Sequence, residues 1–223
     1  KDVWSDLPSK RKDALHYAES LKDAAFFKKF KKEVTGAKVI SVERRAKNIL
    51  INLSNKNTIL VHMKMTGHFL YGDYKLNVKE NSWYATKPGP LSEDPFNKFL
   101  HTVFTLSNGK FLALSDMRKF AKITLVPTEE IHDSKHLAGL GPEPLKKAFT
   151  LKVFLERLAT QPNGKIKPTL MDQTVIAGVG NIYSDEALWL AGINPVEQVK
   201  NIPKGKMKAL YPAVISVLKK GID

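Results

Sequence analysis

The stretch MDQTVIAGVGNIYSDEALWLAGINP, residues 171–195, decides the fold predicted for the second half of the chain. Gly178, Gly180 and Asn181 stand directly before a segment with helical character, which is expected to run to about Ala191. Glycines let the backbone turn sharply and leave N–H groups uncovered, and Asn181 is a residue type that caps helices. Because a helix N-terminus with accessible N–H groups attracts anions, the stretch predicts an anion site.

The same stretch belongs to a pair of helices. The first helix is predicted over residues 166–173, with Lys167 and Pro168 near its first turn, and Gly192 and Pro195 are expected to end the second. Glycines between two helices also serve simply to let the helices pack closely. The spacing alone leaves both interpretations open: an anion site, or an ordinary helix–turn–helix pair.

The composition favours an anionic partner. The 223 residues contain 36 Lys and Arg against 22 Asp and Glu, which gives a formal net charge of +14 at pH 7. Such an excess is typical of proteins that bind nucleic acid, although a merely basic soluble protein has it too. The sequence shows no run of about 18 apolar residues and no signal-peptide pattern, so we expect no membrane partner. It has no cysteine, which excludes disulfides and thiolate metal sites within these residues.

The spacing of apolar residues changes along the chain. Helical spacing predicts a leading helix over about residues 9–34. Alternation at Ile49, Ile51 and Leu53 then predicts β-strands. A long loop is expected over about residues 77–98, which contain Pro88, Gly89, Pro90 and Pro95.

A predicted hairpin follows that loop, and helices follow the hairpin. Asn108 and Gly109 are expected to supply the positive φ angles of its tight turn. The pattern is helical from residue 145 to the end. We therefore predict an α+β protein with an N-terminal β-sandwich-like domain followed by a helical domain. The predicted boundaries are residues 1–127 for the β-rich domain, 128–144 for a linker and 145–223 for the helical domain.

Five blocks of the sequence together resemble one known family. They are VERRAKNILINL, VHMKMTG, SDMRKFAKI, LAGLGPEPL and IKPTLMDQTVIAGVGNIYSDEALWLAGINP. These blocks are similar, in the same order, to those of the formamidopyrimidine-DNA glycosylase family, which includes endonuclease VIII. The likeness covers roughly residues 34–221, and GPEPL is closer to the formamidopyrimidine branch. The last block is similar to the helix-two-turns-helix motif of that family.

The resemblance implies a repair enzyme that acts on double-stranded DNA. Members of the family excise oxidised purines such as 8-oxoguanine and formamidopyrimidines and then cleave the abasic site, which makes them both glycosylases and AP lyases. The damaged nucleotide must leave the base stack, because its glycosidic bond is out of reach inside a duplex. We accordingly expect a monomer that binds DNA carrying oxidised bases or abasic sites, in the bacterial cytoplasm or, in a eukaryote, the nucleus.

The resemblance also assigns residues that fill the space left by the flipped nucleotide. They correspond here to Met65, Arg118 and Phe120, which we call the wedge cluster. A flexible thioether and a flat ring are good wedges between base pairs, and Arg118 can donate hydrogen bonds to the orphaned cytosine. Without the resemblance, Met65 and Phe120 would be interpreted as core residues and Arg118 as a surface charge.

Further residues match positions that hold the DNA backbone or take part in strand cleavage. His62, His101, Lys167 and Asn181 match residues that contact the DNA, chiefly its phosphates. Lys47 matches a lysine to which the family assigns a proton-donor role in strand cleavage. As isolated features, Lys47 would be one basic residue among many, and the two histidines would be ordinary strand residues.

Two parts of the family pattern have no counterpart in these residues. The nucleophile of the family is an N-terminal proline followed by a glutamate, whereas this sequence begins KDVWSDLP and its first proline, Pro8, is internal. The zinc finger of the family would bind zinc, but its ligands are absent here, so no cofactor is expected.

Three explanations fit these differences. The residues belong to a longer protein, which we favour; they are a truncated piece; or they form a natural relative that binds DNA without chemistry. The enzyme interpretation therefore applies to the longer protein. A non-catalytic module that binds damaged DNA is the alternative.

Overall fold

The computed structural model describes residues 1–8 and 19–222. The chain divides into two compact units. The first unit contains Lys1–Arg44 and Asn48–Ser134, and the second contains Arg45–Lys47 and Lys135–Asp223. The main division falls between Ser134 and Lys135, and three residues of an early hairpin, Arg45–Lys47, belong to the helical unit.

The β-strands of the chain form two four-stranded sheets and one ribbon. The sheets have the strand orders β1-β8-β9-β5 and β10-β4-β3-β2, and β6 pairs with β7. The elements are β1 Asp2–Ser5, α1 Ala24–Val34, β2 Val39–Arg45, β3 Asn48–Leu53, β4 Asn57–His62, β5 His68–Gly72, β6 Tyr74–Asn77, β7 Ser82–Ala85, α2 Pro90–Glu93, β8 Leu100–Thr105, β9 Phe111–Ser115 and β10 Lys122–Pro127.

One hydrophobic core joins the two larger sheets. Phe104 and Leu114 of the first sheet and Ile59 and Ile123 of the second belong to the same buried cluster, and Phe30 of α1 completes it. Two antiparallel sheets that share their inner faces form a β-sandwich. The predicted α+β class with an N-terminal β-sandwich-like domain is confirmed.

The leading helix is shorter than predicted. Residues 9–18 of that prediction lie outside the described residues, and residues 19–23 form turns and a bridge, with Glu19 at a φ of 62°. The helix α1 begins at Ala24 because the carboxylate of Asp23 accepts a hydrogen bond from the N–H of Phe26 at 2.6 Å. Leu21 matches the helical spacing of apolar residues because it is buried in the core, but it lies in a turn and not in the helix.

Two loop predictions also need correction. The segment 77–98 contains the strand β7, the short helix α2 and a 3₁₀ helix at Pro95–Lys98. In the β8–β9 turn only Gly109 has a positive φ, of 83°. Asn108 instead accepts a hydrogen bond from the N–H of Lys110 at 3.0 Å through its side chain, which is an Asx-type turn.

The second unit is helical, as predicted. Its buried cluster includes Phe154, Leu170, Ile176, Leu188 and Leu210, which come from all four helices and the connection between two of them. The helices are α3 Leu151–Leu158, α4 Ile166–Met171, α5 Asn181–Leu190 and α6 Lys204–Lys220. The connection between α4 and α5 contains Gly178 and Gly180.

Candidate nucleic-acid interface

Hydrogen bonds from two side chains shape the glycine turn between α4 and α5. The helix α4 ends at Met171, two residues earlier than predicted, because the Asp172 carboxylate accepts from the N–H and the hydroxyl of Thr174 at 2.8 and 2.7 Å. Gln173 then spans the turn: its Oε1 accepts from the N–H of Gly178, and its Nε2 donates to the carbonyl of Val179, both at 2.8 Å. The φ of Gly178 is 98°, a conformation that favours glycine.

The helix α5 begins with an open N-terminus. Its N-cap residue is Gly180, so the prediction that Asn181 caps the helix is wrong. Asn181 is the first helical residue, is exposed, and no side chain in the described part of the chain caps the helix. The first N–H groups of an α-helix have no partner within the helix and carry partial positive charge. The geometry of an anion site is therefore present, with the exposed Asn181 amide beside it.

Lys47 lies against this turn. Its Nζ donates a hydrogen bond to the carbonyl oxygen of Val179 at 2.9 Å. A Cβ added to Gly180 would lie 3.2 Å from the same Nζ, which is tighter than an ordinary contact. Gly180 therefore leaves room for Lys47 to approach the start of α5. Lys47 and the glycine turn, which the sequence analysis identified separately, are brought together in the second unit.

The hairpin turn that carries Lys47 is held by a buried carboxylate. Glu143 accepts a hydrogen bond from the N–H of Ala46 at 2.5 Å and lies 3.4 Å from the Nη1 of Arg45. The guanidinium of Arg45 also donates to the carbonyls of Leu140 and Gly141. The sequence contains no sign of this role of Glu143, because no local pattern places a residue of GPEPL beside Ala46, 97 positions earlier.

Lys167 is not an isolated cation. Its Nζ forms an ion pair with the carboxylate of Asp185 on α5, with N···O distances of 2.8 Å to both oxygens. About a quarter of the Lys167 side chain is exposed, 26%, against 48% for Asp185. Any phosphate that Lys167 binds must share the ammonium with Asp185.

In the wedge cluster, Arg118 contacts both Met65 and Phe120 at the surface of the first unit. Met65 is 72% exposed and Phe120 is 46% exposed, so neither is a core residue. The Nη1 of Arg118 lies 3.0 Å from the Met65 sulfur, and its Cζ lies 4.5 Å from the centre of the Phe120 ring. A cation above an aromatic face is attracted to it. The structure thus brings together two exposed apolar side chains and a cation with planar hydrogen-bond donors.

Asp116 connects the two loops that carry this cluster. Met65 lies in the first wedge loop, residues 63–67, and Arg118 and Phe120 lie in the second wedge loop, residues 116–121. The Asp116 carboxylate accepts a hydrogen bond from the Thr66 hydroxyl and another from the N–H of Ala121, the latter at 2.7 Å. Burial raises the pKa of Asp116, but these hydrogen bonds outweigh it and hold the pKa below its ordinary value.

The two predicted histidines have different surroundings. His62, at the end of β4, accepts a hydrogen bond from the N–H of Lys64 through Nδ1 at 3.0 Å, so its neutral form carries a proton on Nε2. His101 is buried in β8, with Nδ1 at 3.0 Å from both carboxylate oxygens of Asp6. The Nε2 of His101 is buried and has no hydrogen-bond partner among the described residues.

Positive charge is concentrated near the wedge loops. Burial lowers the pKa of Lys22, and the positive charges of Lys122 and Lys64 lower it further, although Asp116 opposes this. Lys64 lies in the first wedge loop, and Lys122 directly follows the second. Such a group of ammonium charges attracts polyanions such as DNA.

The structure offers neither a membrane span nor a metal site in the residues it describes. No described helix is long and apolar enough to cross a membrane. Among the described residues, no three His, Asp or Glu side chains are grouped to hold a metal ion.

Comparison with known proteins gives a consistent result for both units. Residues 11–123 match the family model of the formamidopyrimidine-DNA glycosylase N-terminal domain, and residues 140–223 match that of its H2TH domain. A formamidopyrimidine-DNA glycosylase of Pelotomaculum thermopropionicum is 39% identical over 194 residues. That match covers 87% of this chain but 63% of the relative, so the chain spans less than two thirds of that relative's length.

Solved structures of the Lactococcus lactis glycosylase are similar in fold. One is a complex with DNA that contains an abasic site: its TM-score is 0.77 at 27% identity, over 99% of this chain and 70% of that one. Another is a complex with DNA that contains FAPY-dG, with the same TM-score and identity, over 99% and 71% of the two chains. From these matches and the geometry above, we conclude that the chain belongs to the formamidopyrimidine-DNA glycosylase family.

Proposed function

We propose that this protein takes part in excising oxidised purines, 8-oxoguanine and formamidopyrimidines, from duplex DNA by base flipping, followed by AP lyase cleavage. The observation that carries the proposal is the exposed wedge cluster of Met65, Arg118 and Phe120. The similar solved structures, which are complexes with DNA that contains an abasic site or FAPY-dG, support the assignment of the substrate. Since such an enzyme must reach chromosomal DNA, we place it in the bacterial cytoplasm, or in the nucleus of a eukaryote, and expect it to act as a monomer.

The wedge cluster replaces the nucleotide that leaves the duplex. The free energy falls when exposed apolar side chains leave water and stack between base pairs. The Met65 thioether and the Phe120 ring are exposed enough to do this. Arg118 carries fixed planar donors that match the acceptors of an unpaired cytosine. The wedge therefore favours DNA in which the nucleotide opposite cytosine is already displaced.

The second unit supplies most of the contacts that we assign to the DNA phosphates. The open N-terminus of α5 and the exposed Asn181 amide offer donors to a phosphate, and they carry no preference for a base. Lys47 lies beside this turn and adds a positive charge. In the first unit, we assign a further contact with the DNA to His62, at the end of β4. These contacts position the duplex, whereas the wedge cluster recognises the distortion.

Lys47 is the residue of this chain to which we assign chemistry. Its ammonium is held by the Val179 carbonyl and can give a proton to the oxygen that leaves when the strand is cleaved. The nucleophile that the resemblance implies is a terminal proline, which these residues do not supply. We therefore assign excision to a protein that carries a Pro-Glu start and keep non-catalytic binding of damaged DNA as the alternative, since the wedge and the α5 N-terminus need no nucleophile.

Borohydride trapping separates the two functions. The 223-residue chain and a longer form with a Pro-Glu start are each incubated with a duplex that contains 8-oxoguanine opposite cytosine, with borohydride present. An enzyme that forms an iminium with the sugar becomes covalently attached to the DNA. We expect a covalent complex and released base from the longer form. Salt-reversible binding by both forms without a covalent complex would support the binding module instead.

A further inference from the structure

We propose that Asp116 is a positioning residue that fixes the wedge cluster in its inserting arrangement before DNA binds. The inference deepens the proposed function, on which it rests. Asp116 belongs to the block SDMRKFAKI, and the family resemblance gives it no role. Its surroundings assign it one.

The Asp116 carboxylate bridges the two wedge loops with both of its oxygens. Oδ1 accepts from the hydroxyl of Thr66 in the first loop and from the N–H of Arg118 in the second, the latter at 3.3 Å. Oδ2 accepts from the N–H of Ala121 at 2.7 Å. Thr66 directly follows Met65. One buried carboxylate therefore binds the backbone of Arg118 and the residues that directly follow Met65 and Phe120.

The burial of Asp116 makes this bridge strong. Its exposed fraction is 1%. A buried carboxylate is tolerated only where several donors replace its lost hydration, and hydrogen bonds to a charged acceptor are the stronger kind. Opening the first loop would remove the Thr66 donor, and opening the second would remove the donors of Arg118 and Ala121. Because the carboxylate is buried, the loss of either set of donors is costly, so the bridge favours the closed arrangement of both loops.

The backbones of both loops are held in conformations that need such support. Lys64 in the first loop and Lys119 in the second have φ values of 59° and 55°, in the left-handed region that non-glycine residues seldom adopt. The loops also touch: a Cβ added to Gly67 would lie 2.6 Å from the Met63 carbonyl oxygen and 3.0 Å from the Ala121 Cβ. Close contact and unusual φ angles together define one arrangement of the loops.

A fixed wedge strengthens binding to displaced nucleotides selectively. Side chains that are already in place lose little further conformational freedom when they insert, so the entropy cost of binding is smaller. The phosphate contacts assigned to Asn181 and Lys167 do not benefit, because these residues lie in the second unit. Loss of the Asp116 bridge should therefore lower the preference for damaged DNA and leave affinity for intact duplex unchanged.

The test compares affinities for two duplexes, one intact and one with an abasic-site analogue opposite cytosine. In Asp116→Asn, the amide Nδ2 cannot accept from the Ala121 N–H that Oδ2 now binds. Thr66→Val removes the hydroxyl at similar volume, and Thr66→Ser keeps it. Asp73→Asn is the matched control, since Asp73 is a hydrogen-bonded carboxylate of the same unit, bound to Lys87 and Lys110, and its loss changes net charge equally.

We expect Asp116→Asn to reduce the preference for the abasic duplex about tenfold, which corresponds to about 1.4 kcal/mol, with intact-duplex affinity within about twofold of wild type. Thr66→Val should act in the same direction, Thr66→Ser should restore the preference, and Asp73→Asn should keep it. Thr66→Val carries the test if Asp116→Asn fails to fold. Folded Asp116→Asn or Thr66→Val with the wild-type preference overturns the inference alone, whereas a wild-type protein without any preference overturns the proposed function as well.

Discussion

The Nζ of Lys47 donates a hydrogen bond to the carbonyl oxygen of Val179 at 2.9 Å, although 132 positions of sequence separate the two residues. This bond places a side-chain cation at the turn that precedes α5. The same carbonyl accepts from Gln173, so the lysine and the glycine turn share one acceptor. The candidate proton donor and the candidate phosphate site are therefore parts of one local structure.

The first prediction concerns the glycine turn itself. Gly178→Ala places a Cβ on a residue with a φ of 98°, so the second unit should lose about 1–3 kcal/mol of unfolding free energy. Gly205→Ala is the control, because nothing lies within 4 Å of an added Cβ there and Gly205 lies in α6. It should be neutral or stabilising by up to about 1 kcal/mol. Urea unfolding of both variants measures this, and equal stabilities would contradict the described turn.

The second prediction concerns the DNA backbone. Affinity for intact duplex should fall with salt with a log–log slope of about −3 to −6, because each neutralised phosphate contributes about −0.9. Asn181→Ala should weaken binding to intact and damaged duplexes by the same factor, since phosphates carry no base identity. Asn163→Ala, at another exposed position of the second unit, is the control. Fluorescence anisotropy titrations at several salt concentrations measure both effects, and a slope near zero is incompatible with DNA as the partner.

The third prediction concerns recognition of the orphaned base. Arg118→Ala should reduce the preference for an abasic site opposite cytosine by about 1–3 kcal/mol, because a planar pair of donors is lost. Arg118→Lys keeps the charge and removes the planar geometry, so it should recover little of the preference. Competition binding with cytosine or adenine opposite the abasic site measures the effect. Full recovery by lysine would show that charge alone is used.

The fourth prediction concerns the ion pair between Lys167 and Asp185. Asp185→Asn removes a negative charge 2.8 Å from the Lys167 ammonium, so affinity for duplex DNA should rise by up to about fivefold, or about 1 kcal/mol. Glu156→Gln is the control, because Glu156 lies in an exposed ion pair with Lys152. The comparison is made at low salt. Unchanged affinity in Asp185→Asn would mean that Lys167 contacts no phosphate.

The fifth prediction concerns stability in acid. Because the folded pKa of Asp116 lies below its ordinary value, its carboxylate stabilises the fold above the unfolded value of about 3.9. That contribution is lost as the pH falls through the lower folded value. The difference in unfolding free energy between wild type and Asp116→Asn should therefore be constant from about pH 5 to 7 and shrink below about pH 4. Urea unfolding across this range measures it, and a difference independent of pH down to 3 would contradict the assigned charge.

Local patterns were enough to predict much of the fold. Alternating apolar residues and turn residues identified the hairpins around β3 and β9, and glycine at C′ identified the end of α5. The strand β1 was missed because its pairing partner is distant in the sequence: it pairs with β8, with Val3 opposite Phe104. Local sequence contains no sign of such a partner.

The candidate site was less accessible to local reasoning. Exposed Met65 and Phe120 resemble core residues in any hydrophobicity pattern, so only the family resemblance identified them as a wedge. Asp116 and Glu143 were missed because each is defined by donors on distant segments, Thr66 for one and Ala46 for the other. The DNA contacts assigned to His101 and Lys167 remain predictions, with Asp6 and Asp185 as their present partners.

The central claim is that this chain recognises a displaced nucleotide through its wedge cluster. The most direct measurement is the ratio of dissociation constants for two duplexes of one sequence, intact or with a single abasic-site analogue opposite cytosine. We predict that wild type binds the abasic duplex at least about tenfold more tightly at moderate salt and that Met65→Ala combined with Phe120→Ala brings the ratio close to one. Equal affinity of the wild-type protein for both duplexes, with normal salt-dependent binding, would contradict the account.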